Sequence, residues 1–167
     1  MDFRFKLYRI TTSLALMISG FFVFTGLSVI LFKGISTMFL MSLLFWGACF
    51  IHSVLSLYLQ RSMLLPEVPL RENTPGGIRI MGVIEVLFSS LMIIVGIVLI
   101  TLSGNIINDV RAMLPTPEEQ KAITPAAIQV AGVFCLIPGL ILILNAVLSF
   151  GILRQWQERQ KHNHPEE

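Results

Sequence analysis

The chain has 167 residues, 54% of them hydrophobic and only 13% charged, with a mean hydropathy of +0.79. Soluble domains carry about 25% charged residues, so half that share points to a membrane protein whose first partner is the lipid bilayer and not a nucleic acid. The formal net charge of +2 identifies no partner, because charge placement along the chain matters more than its sum.

Residues 1–9 carry Arg4, Lys6 and Arg9 and precede a first apolar run, 10–32. A basic leader before an apolar run is also the layout of a signal peptide. This run exceeds the about 7–15 residues of a signal core, and no small-x-small cleavage site follows, so an uncleaved first span is expected. Lys33-Gly34 reads as a tight turn into the second run, 35–59, making an antiparallel hairpin. The segment 60–77, "QRSMLLPEVPLRENTPGG", has three prolines and two closing glycines and is expected to be mostly irregular. Thr74-Pro75 supplies a helix start with proline at the first helical position. A third run, 78–102, an intervening segment, 103–126, a fourth run, 127–151, and a tail, 152–167, complete the chain.

Each run is above the ~20 residues needed to cross ~30 Å of hydrocarbon. A spanning segment must satisfy its backbone internally, so helices are predicted and not strands. Orientation follows from the lysines and arginines. Nine of them (Arg4, Lys6, Arg9, Arg61, Arg71, Arg79, Arg154, Arg159 and Lys161) fall on the side of the termini and three (Lys33, Arg111 and Lys121) on the other. That asymmetry predicts cytoplasmic termini, in a plasma or inner membrane.

Within 103–126, the stretch "NIINDVRAML" places Ile106, Ile107, Val110, Met113 and Leu114 on one helical face, which suggests a short helix on the outer membrane surface. Thr116-Pro117-Glu118-Glu119 resembles a helix start, with acids in the first turn, and Thr124-Pro125 repeats the signal. Lid, docking surface and connector are all open readings of this segment, with connector preferred. "LMISG" at 16–20 and "LMIIVG" at 91–96 form a faint internal echo, consistent with chance in apolar sequence. Cys49 and Cys135 each sit in an apolar run and read as small buried hydrophobes in preference to a disulfide.

Every run carries a stripe of small and polar residues. The first has Thr12, Ser19, Gly26 and Lys33 at steps of seven; the third has Gly82, Ser89, Gly96 and Ser103, with Glu85 on the same stripe. The second has Ser42, Cys49, His52 or Ser53, Ser56 and Gln60; the fourth has Cys135, Pro138, Asn145 and Ser149 beside Gly132 and Gly139. Small residues mark close helix approach in lipid and polar ones mark interhelical hydrogen bonds. Helix packing is therefore preferred to a pore lining. A seven-residue period predicts a left-handed bundle, and Pro138-Gly139 predicts a kink in the fourth helix.

Glu85 is the residue hardest to account for, since a carboxylate inside hydrocarbon is costly. His52 and Glu85 lie seven residues from the basic-side ends of their runs and Asn145 six, so all three fall about 10 Å into the core. An intramembrane polar layer of His52, Glu85 and Asn145, helped by Ser56 and Ser89, is the expected arrangement. Two readings compete: a layer that fixes which helices pack together, which is preferred, and a proton or cation site built on Glu85 and His52. One carboxylate with no second along a path makes a poor relay. His162 and His164 in "KHNHPEE" read as a solvated tail in preference to a metal site.

No G-x-S-x-G, P-loop or H-E-x-x-H is present, and no acidic cluster for a phosphate-bound metal, so no catalytic residue, cofactor or metal site is expected. The small four-span layout with "GVIEVLFSSLMIIVGIVL" in the third run resembles the DoxX-type small bacterial membrane proteins; the resemblance covers one helix and implies no activity. The expected fold is an all-α, polytopic integral membrane protein, a left-handed four-transmembrane-helix bundle with both termini cytoplasmic. The expected role is a non-catalytic accessory or interaction subunit, partnered by other membrane subunits or by copies of itself. A small proton- or ion-coupled transporter or channel centred on Glu85 is the alternative.

Overall fold

The computed structural model describes residues 3–65 and 70–163, and all regular structure among them is helical. The order is α1 (Phe3–Lys33), α2 (Thr37–Leu64), α3 (Thr74–Thr101), α4 (Ser103–Ala112), α5 (Pro117–Ala122) and α6 (Pro125–Asn163). Residues 66–69 of the 60–77 segment, His164 and the side chain of His162 lie outside the described residues.

Four helices, α1, α2, α3 and α6, are long and apolar enough to cross a bilayer. At 1.5 Å per residue, the 28 residues of α2 and of α3 run about 42 Å, which covers the hydrocarbon and both headgroup regions. The surface agrees: Phe24, Leu31, Leu87 and Phe134 are all more than two-thirds exposed. Water would penalise so much uncovered apolar area, whereas lipid does not. The chain is thus an all-helical membrane protein with four candidate spans.

Local chemistry sets the helix ends. Gly34 has φ +86°, a left-handed conformation that a residue with a Cβ adopts at a cost, and it lets the chain reverse after α1. Ser36 then caps α2 by accepting from the Phe39 amide at 3.4 Å. Thr124 does the same for α6, accepting from the Ala127 amide at 3.2 Å, and Pro125 is the first helical residue. Pro138 sits inside α6 without ending it.

The chain forms two compact units, Met1–Phe88 with Ile141–Glu167, and Ser89–Leu140. In the first, α1 and α2 pack with the opening half of α3 and the closing half of α6, in three layers. An aromatic layer stacks Phe22 on Trp46 at 4.1 Å and Phe45 on Phe88 at 5.3 Å, with Trp46 edge-on to Phe88. A polar layer follows. An apolar cluster of Phe5, Tyr8, Leu59, Ile78, Ile152 and Leu153 closes the basic end. Along α2 the three layers fall at Trp46, His52 and Leu59, steps of about 10 Å.

The second unit holds the rest of α3 and α6, with α4 and α5. Here the helices meet at glycines. A Cβ on Gly96 would stand 2.8 Å from the Gly132 carbonyl oxygen, and a Cβ on Gly132 would stand 2.8 Å from the Gly96 carbonyl oxygen. Only residues without a side chain allow backbones this close. The connecting segment is tied by the Arg111 guanidinium, which donates twice to the Ile123 carbonyl at 2.8 and 3.3 Å.

Candidate functional site

The polar layer draws on all four helical segments of the first unit. Glu85 of α3, His52 of α2 and Asn145 of α6 are each wholly buried. The Glu85 carboxylate meets His52 through Oε2 and Nδ1, and its Oε1 accepts from the Asn145 side-chain amide at 3.4 Å. A carboxylate that meets an imidazole and an amide is far cheaper to bury than one with no polar neighbour.

α1 joins through Thr12. Its hydroxyl lies 2.8 Å from the Asn145 Oδ1 and 2.7 Å from the Tyr8 carbonyl oxygen. A hydroxyl has one proton, so these two acceptors share it. The same oxygen accepts from the Gln60 amide at 2.8 Å. The path Gln60–Thr12–Asn145–Glu85–His52 therefore passes α2, α1, α6, α3 and back to α2.

A second circuit lies nearer the basic end. Ser56 and Ser149 hydroxyls are 2.7 Å apart. Ser149 donates to the Tyr8 hydroxyl at 3.0 Å, and Tyr8 donates to the Ser56 carbonyl at 3.3 Å. With Ser56 donating to Ser149, every proton in the ring runs in one direction, the arrangement in which hydrogen bonds reinforce one another. Ser56 thus belongs to this circuit, while Ser89 is buried in the second unit.

Apart from the His52 Nδ1 and Glu85 Oε2 that meet each other, two buried polar atoms lack a hydrogen-bond partner among the described residues: the His52 Nε2 and the Ser53 hydroxyl. Gly82 makes room at the imidazole, since a Cβ there would stand 3.1 Å from Nε2 and 2.6 Å from the Phe150 ring. Among the described residues no group of three metal-ligating side chains forms.

Sequence reasoning missed Tyr8. It precedes the first apolar run and reads there as part of a solvated leader, whereas α1 begins at Phe3 and carries Tyr8 into the bundle. Thr12, Gln60 and Ser149 were visible on the polar stripes, but a stripe gives a face and not a partner.

No family model, curated protein or solved structure matches this chain.

Proposed function

We propose that this chain is a non-catalytic accessory or interaction subunit of a membrane assembly, and that its polar layer fixes the pairing of its own helices. The seclusion of the layer carries this reading. Its polar side chains are buried, stand between an aromatic and an apolar layer, and bond chiefly to one another. Interhelical hydrogen bonds specify which helices pack, because each mismatch strands a polar group in hydrocarbon. The partner is another membrane subunit or a second copy, and neither a cofactor nor a metal takes part. The seven-residue stripes support a left-handed bundle. The nine-to-three distribution of lysine and arginine supports cytoplasmic termini in a plasma or inner membrane.

Extraction in a mild detergent, followed by mass measurement of the intact complex, tests the role: distinct co-purifying subunits support it, and a lone monomer refutes it. Orientation has its own test. A cysteine at Arg71 should be shielded from an impermeant thiol reagent in intact cells and one at Glu118 should react, in a background lacking Cys49 and Cys135.

One observation favours a second reading, a small proton- or ion-coupled transporter or channel. The bare His52 Nε2 and Ser53 hydroxyl lie at the edge of the Glu85 pair, where a water or a transferred proton would find a free acceptor. Glu85→Gln separates the two. It keeps a hydrogen-bonding shape and removes the titrating group, so the scaffold reading expects stability and function both retained. Loss of pH-driven flux at unchanged thermal stability would establish the proton site instead.

A further inference from the structure

We propose that the basic end of the first unit binds one anionic phospholipid, its phosphate held between Arg4 and Arg159 and an acyl chain lying on Met63, Leu64 and Ile152. These five residues, with Gln155, line a groove of about 190 Å³ between the start of α1, the end of α2 and the closing part of α6. One wall is cationic and the floor is apolar, which is the pattern of a headgroup joined to a hydrocarbon tail.

The charges at this end differ in their commitments. Arg154 is paired with Glu158 at 3.0 Å, and Arg79 donates to Gln157 at 3.0 Å. Neither Arg4 nor Arg159 has an acidic partner among the described residues. Two guanidinium groups that form no ion pair thus line one small groove, and a planar guanidinium matches phosphate oxygens in pairs.

Depth decides what kind of anion. The apolar run of α1 begins at residue 10, so Arg4 stands six residues, about 9 Å, beyond the hydrocarbon edge; Arg159 stands eight residues beyond residue 151, about 12 Å. Both arginines line one groove with Ile152, a single residue beyond the fourth run, so the groove reaches from the hydrocarbon edge outward through the headgroup zone. The apolar floor runs from Ile152, at the hydrocarbon edge, to Leu64, which is half exposed and about 7.5 Å farther out than residue 59, so a tail can enter at its inner end. A soluble phosphate would use the arginines and leave that floor bare.

The test uses the full chain in nanodiscs of phosphatidylcholine containing phosphatidylglycerol, with retained lipids counted by native mass spectrometry. The parent should keep one phosphatidylglycerol in preference to phosphatidylcholine. Arg4→Gln and Arg159→Gln should each lower the retained fraction about fivefold, the effect of one basic group at an anionic surface. Arg71→Gln, outside the groove, should leave it unchanged. Leu64→Ser should weaken retention of the lipid, and excess inorganic phosphate should fail to displace it. Both arginines are exposed, so their variants should melt as the parent does; a variant that does not is replaced by the other arginine. Equal retention of both lipids, parental retention in a well-folded Arg4→Gln or Arg159→Gln, or an equal loss in Arg71→Gln would overturn the site. Full displacement by inorganic phosphate would overturn the lipid assignment.

Discussion

The two units solve one problem with opposite means. In the first, helices are held by side chains that reach across: an acid, an imidazole, two amides, a phenol and three hydroxyls, all buried. In the second, α3 and α6 approach until the Gly96 and Gly132 backbones leave no room for a Cβ. Lipid offers no hydrophobic drive between helices, so only hydrogen bonds and close packing are available, and each unit leans on one of them. The difference teaches where tolerance lies. The polar unit should accept a change of size that keeps a hydrogen bond, and the glycine unit should accept a change of polarity that adds no volume.

The largest effect is expected where backbone meets backbone. In Gly96→Leu the new Cβ would fall 2.8 Å from the Gly132 carbonyl oxygen and 2.9 Å from the Leu136 amide nitrogen. Neither atom can rotate aside as a side chain would. Overpacking of this kind costs ~3 kcal/mol, to be read from thermal unfolding in detergent. Unfolding at the parental temperature would mean that α3 and α6 are not held by glycine contact.

Glu85→Leu comes next. It leaves the His52 Nδ1 and the Asn145 amide without their shared partner. Measured interhelical hydrogen bonds in membranes average ~0.6 and reach ~1.7 kcal/mol, so a loss of ~1–2 kcal/mol is expected and the bundle should still fold. A loss larger than that of Gly96→Leu would reverse the ranking of the two devices.

Tyr8→Phe removes only a hydroxyl that accepts from Ser149 and donates to the Ser56 carbonyl. A loss of ~0.5–1 kcal/mol is expected, because the Ser149 hydroxyl keeps the Ser56 hydroxyl as a partner. An unchanged melting temperature would place Tyr8 outside the network energetically.

Gly47→Ala serves as the contrast to Gly96. Gly47 has no atom within 4 Å of an added Cβ, so the change should fall within ~0.5 kcal/mol of zero in the same unfolding assay. A marked loss there would mean that glycines in this chain matter through the backbone and not through space.

How much of this was legible follows from what each feature depends on. The four spans were legible because hydrocarbon thickness imposes a minimum apolar length, and α1, α2, α3 and α6 all exceed it. The reversal at Gly34 was legible because a tight turn between two runs calls for that residue. The common depth of His52, Glu85 and Asn145 needed only a rise per residue and three run ends. The connections to α1 were not legible. Tyr8 lies outside the apolar run, and whether Thr12 faces Asn145 or lipid depends on helix rotation, which a period constrains only to a face. The uninterrupted course of α6 to Asn163 was hidden for a related reason: "LRQWQERQKHN" is polar enough for a tail and has no breaker to stop a helix.

The direct contact between His52 Nδ1 and Glu85 Oε2 has an electrical consequence. A full elementary charge crossing the bilayer exchanges about 2.3 kcal/mol with each 100 mV of membrane potential. A proton passing from Nδ1 to Oε2 moves on the order of 1 Å of the ~30 Å drop, and so exchanges only about 0.1 kcal/mol, well under thermal energy. Membrane voltage therefore has almost no purchase on a transfer as short as this contact allows.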